Sequence, residues 1–444
     1  LFHVKRCAAV DTMMTDDTIF ALSTAPGRAG VAVVRVSGRL ASEAAVQLAG
    51  QCPPPRAATL RTLRDFSGEV LDRGLVIYFP GPNSFTGQDV VEFHLHGGRA
   101  ILKGVIGVLE RMRGLRPAEA GEFVRRAVEA GKMDLSEAEA LADLLDSETG
   151  AQRRQALQGL GGGIGRKADH WRAMLIDALA LVEAAIDFSE EEDIGTGLID
   201  RAASDSRALL REMNLVLAGP DGERLRDGAT IIVAGPPNAG KSTFINAVAG
   251  RDVALATPHA GTTRDMIEVM LDLGGYPAVL VDTAGFRETS DPVEREAIRR
   301  ARLRAEKADL VLWLSDDAAI GPPDLGGTTV WQVHTKADLL GPDAAAGFVI
   351  SAVSGHGIPD LLGAMEAWAK KLLVGAESAL ITRARHRDAL RDATGYLEAA
   401  IDLVEPELMA ENLRLAARAL GRISGRVDVE DVLDKIFGQF CIGK

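Results

Sequence analysis

Residues 235–243 read GPPNAGKST, and this stretch constrains the fold of the chain more than any other. An apolar run, Ala229 to Ala234 (ATIIVA), precedes it and a helical pattern begins near Thr243, the strand, loop, helix context that a phosphate loop requires. The match to GxxxxGK[ST] is complete. In such a loop the glycines let backbone amides curl around phosphate oxygens, Lys241 reaches the β and γ oxygens, and the Ser242 hydroxyl can ligate Mg²⁺. A glycine-rich turn with a chance Lys-Ser pair would need neither the strand nor the helix. Asn238, Ala239, Gly240, Lys241, Ser242 and Thr243 are therefore expected to line a nucleotide.

The next hundred residues are spaced as though to serve that loop. GTTRD at 261–265 supplies hydroxyls, Thr262 and Thr263, where a switch loop places its Mg²⁺ ligand. A strand, Ala278 to Val281, runs into DTAG, in which Asp282 can hold Mg²⁺ through water, Thr283 and Ala284 follow, and the Gly285 amide can bind the γ-phosphate. Leu310 to Leu314 reads as a buried parallel strand. Val330 to Val333 leads into Thr335-Lys336-Ala337-Asp338, and Phe348 to Ile350 into Ser351-Ala352. In order and spacing these resemble the five nucleotide elements of the GTPase class. The Asp338 carboxylate can accept from the guanine N1–H and exocyclic amine, a pairing adenine cannot offer, and Lys336 can lie along the base. GTPases usually carry Asn where this chain has Thr335, which makes nucleotide affinity a question for the structure. Phe286 stands where Ras-like proteins place the Gln that positions the attacking water. Either hydrolysis is very slow, or another residue and another cation do that work.

At 444 residues the chain exceeds one ordinary core, and two or three domains are expected. A net charge of −13 argues against gripping nucleic acid by bulk charge, so any RNA contact must be local. Cys7, Cys52 and Cys441 form no CxxC pair and suggest neither a zinc site nor a disulfide framework. A soluble, reducing, cytoplasmic setting fits, since no apolar run approaches the roughly 20 residues that span a bilayer. The opening LFHVKRCAAVDTMM has neither an initiator Met nor a signal-peptide apolar region, and residues 1–14 read as a disordered or upstream-extended leader.

The expected fold class is a multidomain α/β chain. Residues 1–133 read as an α+β domain, with strands flanking Pro-Gly-Arg-Ala-Gly between Thr18 and Ser37, further strands at Gly68 to Phe79 and Val90 to His96, and a helix from Arg99 to Arg113. His94 and His96 share a strand face but lack an evident third metal ligand. Arg35, Glu92 and Lys132 read, on composition alone, as solvated charges. From Asp134 the sequence becomes Ala-, Leu- and Glu-rich with one helical stripe through Leu135, Ala138, Leu141, Ala142 and Leu145. GLGGGIG, residues 159–165, reads as a break between helices. Residues 134–226 and 373–444 are two parts of one helical domain, and 227–372, the mainly parallel phosphate-loop domain, is inserted between them. The basic cluster Arg383, Arg385, His386, Arg387 and Arg391 admits either a solvated helix face or a phosphate or RNA contact.

Seven blocks in order, PGRAGVAVVRVSG, FTGQDVVEFHLHGG, GEFVRRAVEAGKMDLSEAEALADL, GPPNAGKST, GTTRD, DTAGFRETSDPVERE and FCIGK, make the chain from Thr18 to Lys444 resemble the MnmE (TrmE) family of tRNA-modification GTPases. Generic phosphate-loop similarity explains only three of them. The resemblance implies that K⁺ beside the phosphates takes the role an arginine finger plays elsewhere, with Asn238 as its side-chain ligand and Thr257, His259 and Thr262 contributing mainly through backbone. Mg²⁺ would sit on Ser242 and Thr263, and on Asp282 through water. Glu294 would orient the attacking water and, with Lys241, act in hydrolysis, completed by pairing of two G domains. The N-terminal domain would dimerise and bind a tetrahydrofolate derivative, in its 5-formyl or methylene form, through Arg35, Glu92, Lys132 and Lys444. Cys441 would be required for tRNA modification. The implied partner is the FAD-containing MnmG (GidA), in a heterotetramer or larger complex, the flavin residing on that partner. The implied product carries an aminomethyl or carboxymethylaminomethyl group at C5 of the wobble uridine, position 34, of certain tRNAs. Two rival readings remain: a regulatory RNA- or ribosome-associated GTPase switch, and a folate-binding scaffold with a degenerate GTPase.

Overall fold

The computed structural model describes residues 17–187, 192–255, 268–282, 299, 302–317, 319–338, 347–403, 405–427, 436–438, 440 and 443. The chain divides into two compact units, Leu1–Ala142 with Gly421–Lys444, and Asp143–Leu420.

In the first unit the elements run β1 (Thr18–Leu22), β2 (Ala29–Ser37), α1 (Ala41–Ala49), β3 (Thr59–Arg64), β4 (Val70–Phe79), β5 (Val90–Gly97), α2 (Arg99–Arg111), β6 (Leu115–Pro117), α3 (Glu122–Glu129) and the start of α4 (Leu135–Leu145). The strands form one sheet in the order β3-β4-β5-β2-β1-β6, antiparallel except where β1 meets β6. Two-residue alternation decides its faces. Val34 and Val36 of β2 and Phe93 and Leu95 of β5 share a buried core with Ala44, Leu48, Val105 and Val108 from α1 and α2. Arg35 pairs in register with Glu92, and Ile77 with the same residue from the other side; Val33 and Leu75 flank His94, and Leu60 lies opposite Leu75. These side chains share the other face, on which Leu60 and Leu75 are exposed.

The end of the chain returns to this unit. Ile436, Phe437 and Phe440 are buried together with Val124 of α3 and Leu135, Ala138 and Ala142 of α4. Beyond them the Ser23 hydroxyl donates to the Gly443 carbonyl at 2.9 Å. Gly443 has φ 105°, and a Cβ there would lie 2.0 Å from the Leu22 carbonyl oxygen, so only glycine admits this approach.

The second unit continues with α5 (Gly150–Leu160), α6 (Gly163–Asp187), α7 (Glu192–Leu217) and α8 (Gly222–Asp227), then β7 (Ala229–Ala234), α9 (Lys241–Ala249), β8 (Glu268–Leu273), β9 (Tyr276–Asp282), β10 (Leu310–Ser315), β11 (Val330–His334), β12 (Phe348–Val349), α10 (Ile358–Leu373), α11 (Ala384–Ile401) and α12 (Pro406–Ser424). Ile164, Ala168, Trp171, Leu175, Ala178, Val182 and Ala185 recur in alternating steps of four and three along α6 and bury a seam that packs against α7. The expected glycine break is shorter than GLGGGIG. The helix resumes at Gly163, because the left-handed Gly162, φ 71°, completes the turn alone.

The sheet order is β12-β11-β10-β7-β9-β8, parallel except for the β8–β9 hairpin. The central strand β7 lies between β10 and β9. Nearly every residue of β7 and all of β10 are buried, as expected of strands covered on both faces. The phosphate loop therefore leaves the sheet at its middle, from a strand paired on both sides.

Candidate nucleotide and folate sites

The phosphate loop is built by two left-handed turns. Gly235 has φ 149°, and a Cβ on it would meet the Leu314 carbonyl oxygen at 2.0 Å; Gly240, φ 85°, opens α9. No side chain caps that helix, so its first amides face the loop. Asn238, exposed at the crest, also adopts a left-handed conformation at φ 62°, which Asn tolerates better than most side chains. The buried Lys241 ammonium donates to the Gly235 and Pro236 carbonyls at 3.1 and 2.9 Å. Burial pushes its pKa below the usual lysine value, and the nearby Asp282 pulls it back up. A phosphate would supply the charge that this ammonium lacks.

The Ser242 hydroxyl donates to Asp282 Oδ2 at 3.1 Å. One hydroxyl and one carboxylate at the mouth of the loop are hard oxygen donors of the kind Mg²⁺ takes, directly or through water. The ion would shield the phosphate charge there. The other residues expected around the phosphates and cations, Thr257, His259, Thr262, Thr263, Thr283, Ala284, Gly285 and Glu294, and also Phe286, lie outside the described residues.

On the base side the structure joins the two loops that sequence reasoning kept apart. The Thr335 hydroxyl donates to the Ala239 carbonyl at 2.8 Å, and Thr335 is 4% exposed. A threonine in place of the usual asparagine thus still ties the base-reading loop to the phosphate loop. The Ala337 amide donates to the Ile350 carbonyl, placing Lys336, Asp338, Ser351 and Ala352 around one rim. The Ser351 hydroxyl hydrogen-bonds the Asp338 carboxylate, holding it below the ordinary carboxylate range and charged for guanine recognition.

In the first unit Arg35 and Glu92 form an ion pair at 2.9 Å across β2 and β5, and His94 Nε2 lies 3.2 Å from the other Glu92 oxygen. The Arg35 guanidinium also sits 5.5 Å from the Phe85 ring and 5.6 Å from the Phe123 ring. Neither aromatic is singled out by spacing or composition; the only sign of them in the sequence is the phenylalanine inside FTGQD and inside GEFVRR. Lys132 approaches the same loop, its Cε 3.4 Å from where a Cβ on Gly87 would stand. A carboxylate flanked by cations and aromatic rings suits a pterin with an anionic tail. His96 pairs instead with Asp72 at 2.8 Å, and among the described residues no three His, Cys, Asp or Glu side chains gather as a metal site. Lys444, Cys441, Cys7 and the leader lie outside the described residues. Cys52 packs against the first core, and burial pushes its thiol pKa up, with Asp89 adding to the effect.

Arg383 and Arg387 of the basic cluster at the start of α11 are paired within the chain. Arg383 meets Asp143 at 2.6 Å, Arg387 meets Glu223 and Asp221, Arg391 lies 3.8 Å from Asp388, and His386 is buried. The pairing favours a structural role over a phosphate contact. No helix among the described residues is long and apolar enough to cross a membrane.

A mainly parallel sheet with a central phosphate loop, a Ser–Asp pair at its mouth and a Lys–Asp loop for guanine defines the class: a phosphate-loop GTPase domain. Family profiles match at residues 18–132, described as the GTP-binding protein TrmE N-terminus, and at residues 135–441, described as the MnmE helical domain. The tRNA modification GTPase MnmE of Rhodopseudomonas palustris is 51% identical over 97% of this chain and 99% of its own. Those of Bradyrhizobium sp. and Azorhizobium caulinodans are 52% and 53% identical with the same coverage. The chain belongs to the MnmE family of tRNA modification GTPases.

Proposed function

We propose that this chain is a K⁺-activated GTPase which, together with the FAD-dependent MnmG, places an aminomethyl or carboxymethylaminomethyl group on C5 of the wobble uridine of certain tRNAs. The observation that carries the reading is that one chain holds both a built guanine-nucleotide site and the Arg35–Glu92 pair between Phe85 and Phe123. A tetrahydrofolate held there would supply the carbon, and the partner's flavin the redox step. Glu92 would pair with the pterin's amino and ring N–H groups, and Arg35, Lys132 and Lys444 with its anionic tail.

At the nucleotide, Lys241 would neutralise the β and γ oxygens and Glu294 would orient water. Asn238, Thr257, His259 and Thr262 would hold K⁺, and Ser242, Thr263 and Asp282 would hold Mg²⁺. K⁺ would supply positive charge beside the transferring phosphoryl group. The exposed Leu60 and Leu75, on the β3–β4 side of the sheet face that carries Arg35 and Glu92, support a homodimer through the first unit. Residues 1–133, 134–226 with 373–444, and 227–372 would serve as folate, helical and G domains of a cytoplasmic enzyme.

The test is tRNA nucleoside analysis of a deletion strain. Loss of the modified wobble uridine, restored by the wild type but not by Cys441→Ser or Glu92→Ala, supports the reading. Unaltered modification in the deletion strain would make the chain a GTPase switch instead.

A further inference from the structure

Each residue of the base-reading loop is held by a neighbouring segment: the end of β10, the phosphate loop, or the segment after β12. The Thr335 amide donates to the Ser315 carbonyl at 2.9 Å, and its hydroxyl to Ala239. Ala337 is bonded to Ile350, and Asp338 to Ser351. The remaining member, Lys336, takes a left-handed backbone at φ 57°, and its ammonium meets Asp316 Oδ2 at 2.6 Å. Asp316 follows directly on the end of β10, the buried strand beside β7. Its position is therefore set by the sheet and not by the loop it serves.

We propose that Asp316 is a positioning residue of the guanine site. By holding the Lys336 ammonium it keeps the aliphatic stem of Lys336 stretched along the plane in which the purine lies, and so sets how long the nucleotide stays. The inference rests on the guanine-nucleotide reading of this site. Both side chains are more than a third exposed, 38% for Lys336 and 39% for Asp316, so solvent screens the pair and the effect is modest. The Asp316 carboxyl is held below its ordinary range by the hydrogen bond from Lys336, so it stays ionised at neutral pH.

Acting through the stem of Lys336, Asp316 touches neither the phosphates nor the guanine amino group. Its loss should therefore weaken GDP and IDP by the same factor. Asp338 reads the amino group that IDP lacks, so Asp338→Asn should instead erase the preference for GDP.

The experiment is equilibrium binding and dissociation of fluorescent GDP and IDP by the full-length wild type and by Asp316→Asn, Asp316→Glu and Asp338→Asn. The expected result for Asp316→Asn is about two- to fivefold weaker binding, carried by faster dissociation and equal for both nucleotides. Asp316→Glu, which keeps the charge, should recover most of the loss. Wild-type binding with Asp316→Asn indistinguishable from it, tighter than it, or weakened for GDP alone overturns the proposal and leaves the guanine site standing. Failure of the wild type to bind GDP overturns the site reading and this inference with it.

Discussion

Thr335 and Ala239, 96 residues apart in sequence, are joined by a buried 2.8 Å hydrogen bond from hydroxyl to carbonyl. This bond ties the base-reading loop to the phosphate loop, so that a nucleotide spanning both meets loops joined to each other.

Thr335→Val keeps the shape and removes the donor, leaving the Ala239 carbonyl without this partner. The cost is about 1–2 kcal/mol, or roughly five- to thirtyfold in GDP affinity, whereas Thr335→Asn should bind close to wild type. Titration with fluorescent GDP measures both. Equal affinity for the Val variant would mean that the bond positions nothing.

Gly235→Ala tests the crowding at the start of the loop. Its Cβ would lie 2.0 Å from the Leu314 carbonyl oxygen, at a φ of 149°. Separating β7 from β10 or straining the turn should cost about 1–3 kcal/mol and lower the unfolding temperature by several degrees. Calorimetry that finds unchanged stability would contradict the close approach.

Much of this architecture can be read directly from the residues. The phosphate-loop motif, the apolar strands Ala229 to Ala234 and Leu310 to Leu314, and the alternation in β2 and β5 each specify their local structure through short-range chemistry. What the residues do not show is long-range. β3 carries exposed Leu60 beside arginines and lacks the clean alternation of its neighbours, because it is an edge strand with one partner. Nothing near Phe437 or Gly443 announces that the chain end packs on α3 and on the end of β1. The basic run after Thr382 looks available for phosphate until Asp143, Asp221 and Glu223 are seen to meet it. Of the folate-site candidates, Arg35 and Glu92 read as separate surface charges until β2 and β5 pair.

Phe437→Ala tests the returning chain end. The ring is 4% exposed against α3 and α4, so truncation should cost about 3–5 kcal/mol within the first unit. Wobble modification should fall while GTP turnover, seated in the second unit, persists. Parallel loss of both activities would contradict this separation.

Glu122, 1% exposed, gives a pH dependence. Burial alone would push its carboxyl up, but hydrogen bonds from Arg116, the Glu119 amide and Arg126 outweigh it and hold the carboxyl below its usual value of 4.5. A depressed carboxyl stabilises the fold fully above that value and loses the contribution as pH falls through the folded pKa. Unfolding temperature should therefore drop as the pH falls below about 4.5, and Glu122→Gln should flatten that drop. A wild-type curve as flat as the variant's would contradict the assignment.

The central claim is cation-assisted GTP hydrolysis by this chain. Its most direct test is turnover of GTP in KCl against NaCl at matched ionic strength, with Asn238→Ala alongside. Strong acceleration by K⁺ that Asn238→Ala abolishes is the expected result; equal slow rates in both salts would contradict it.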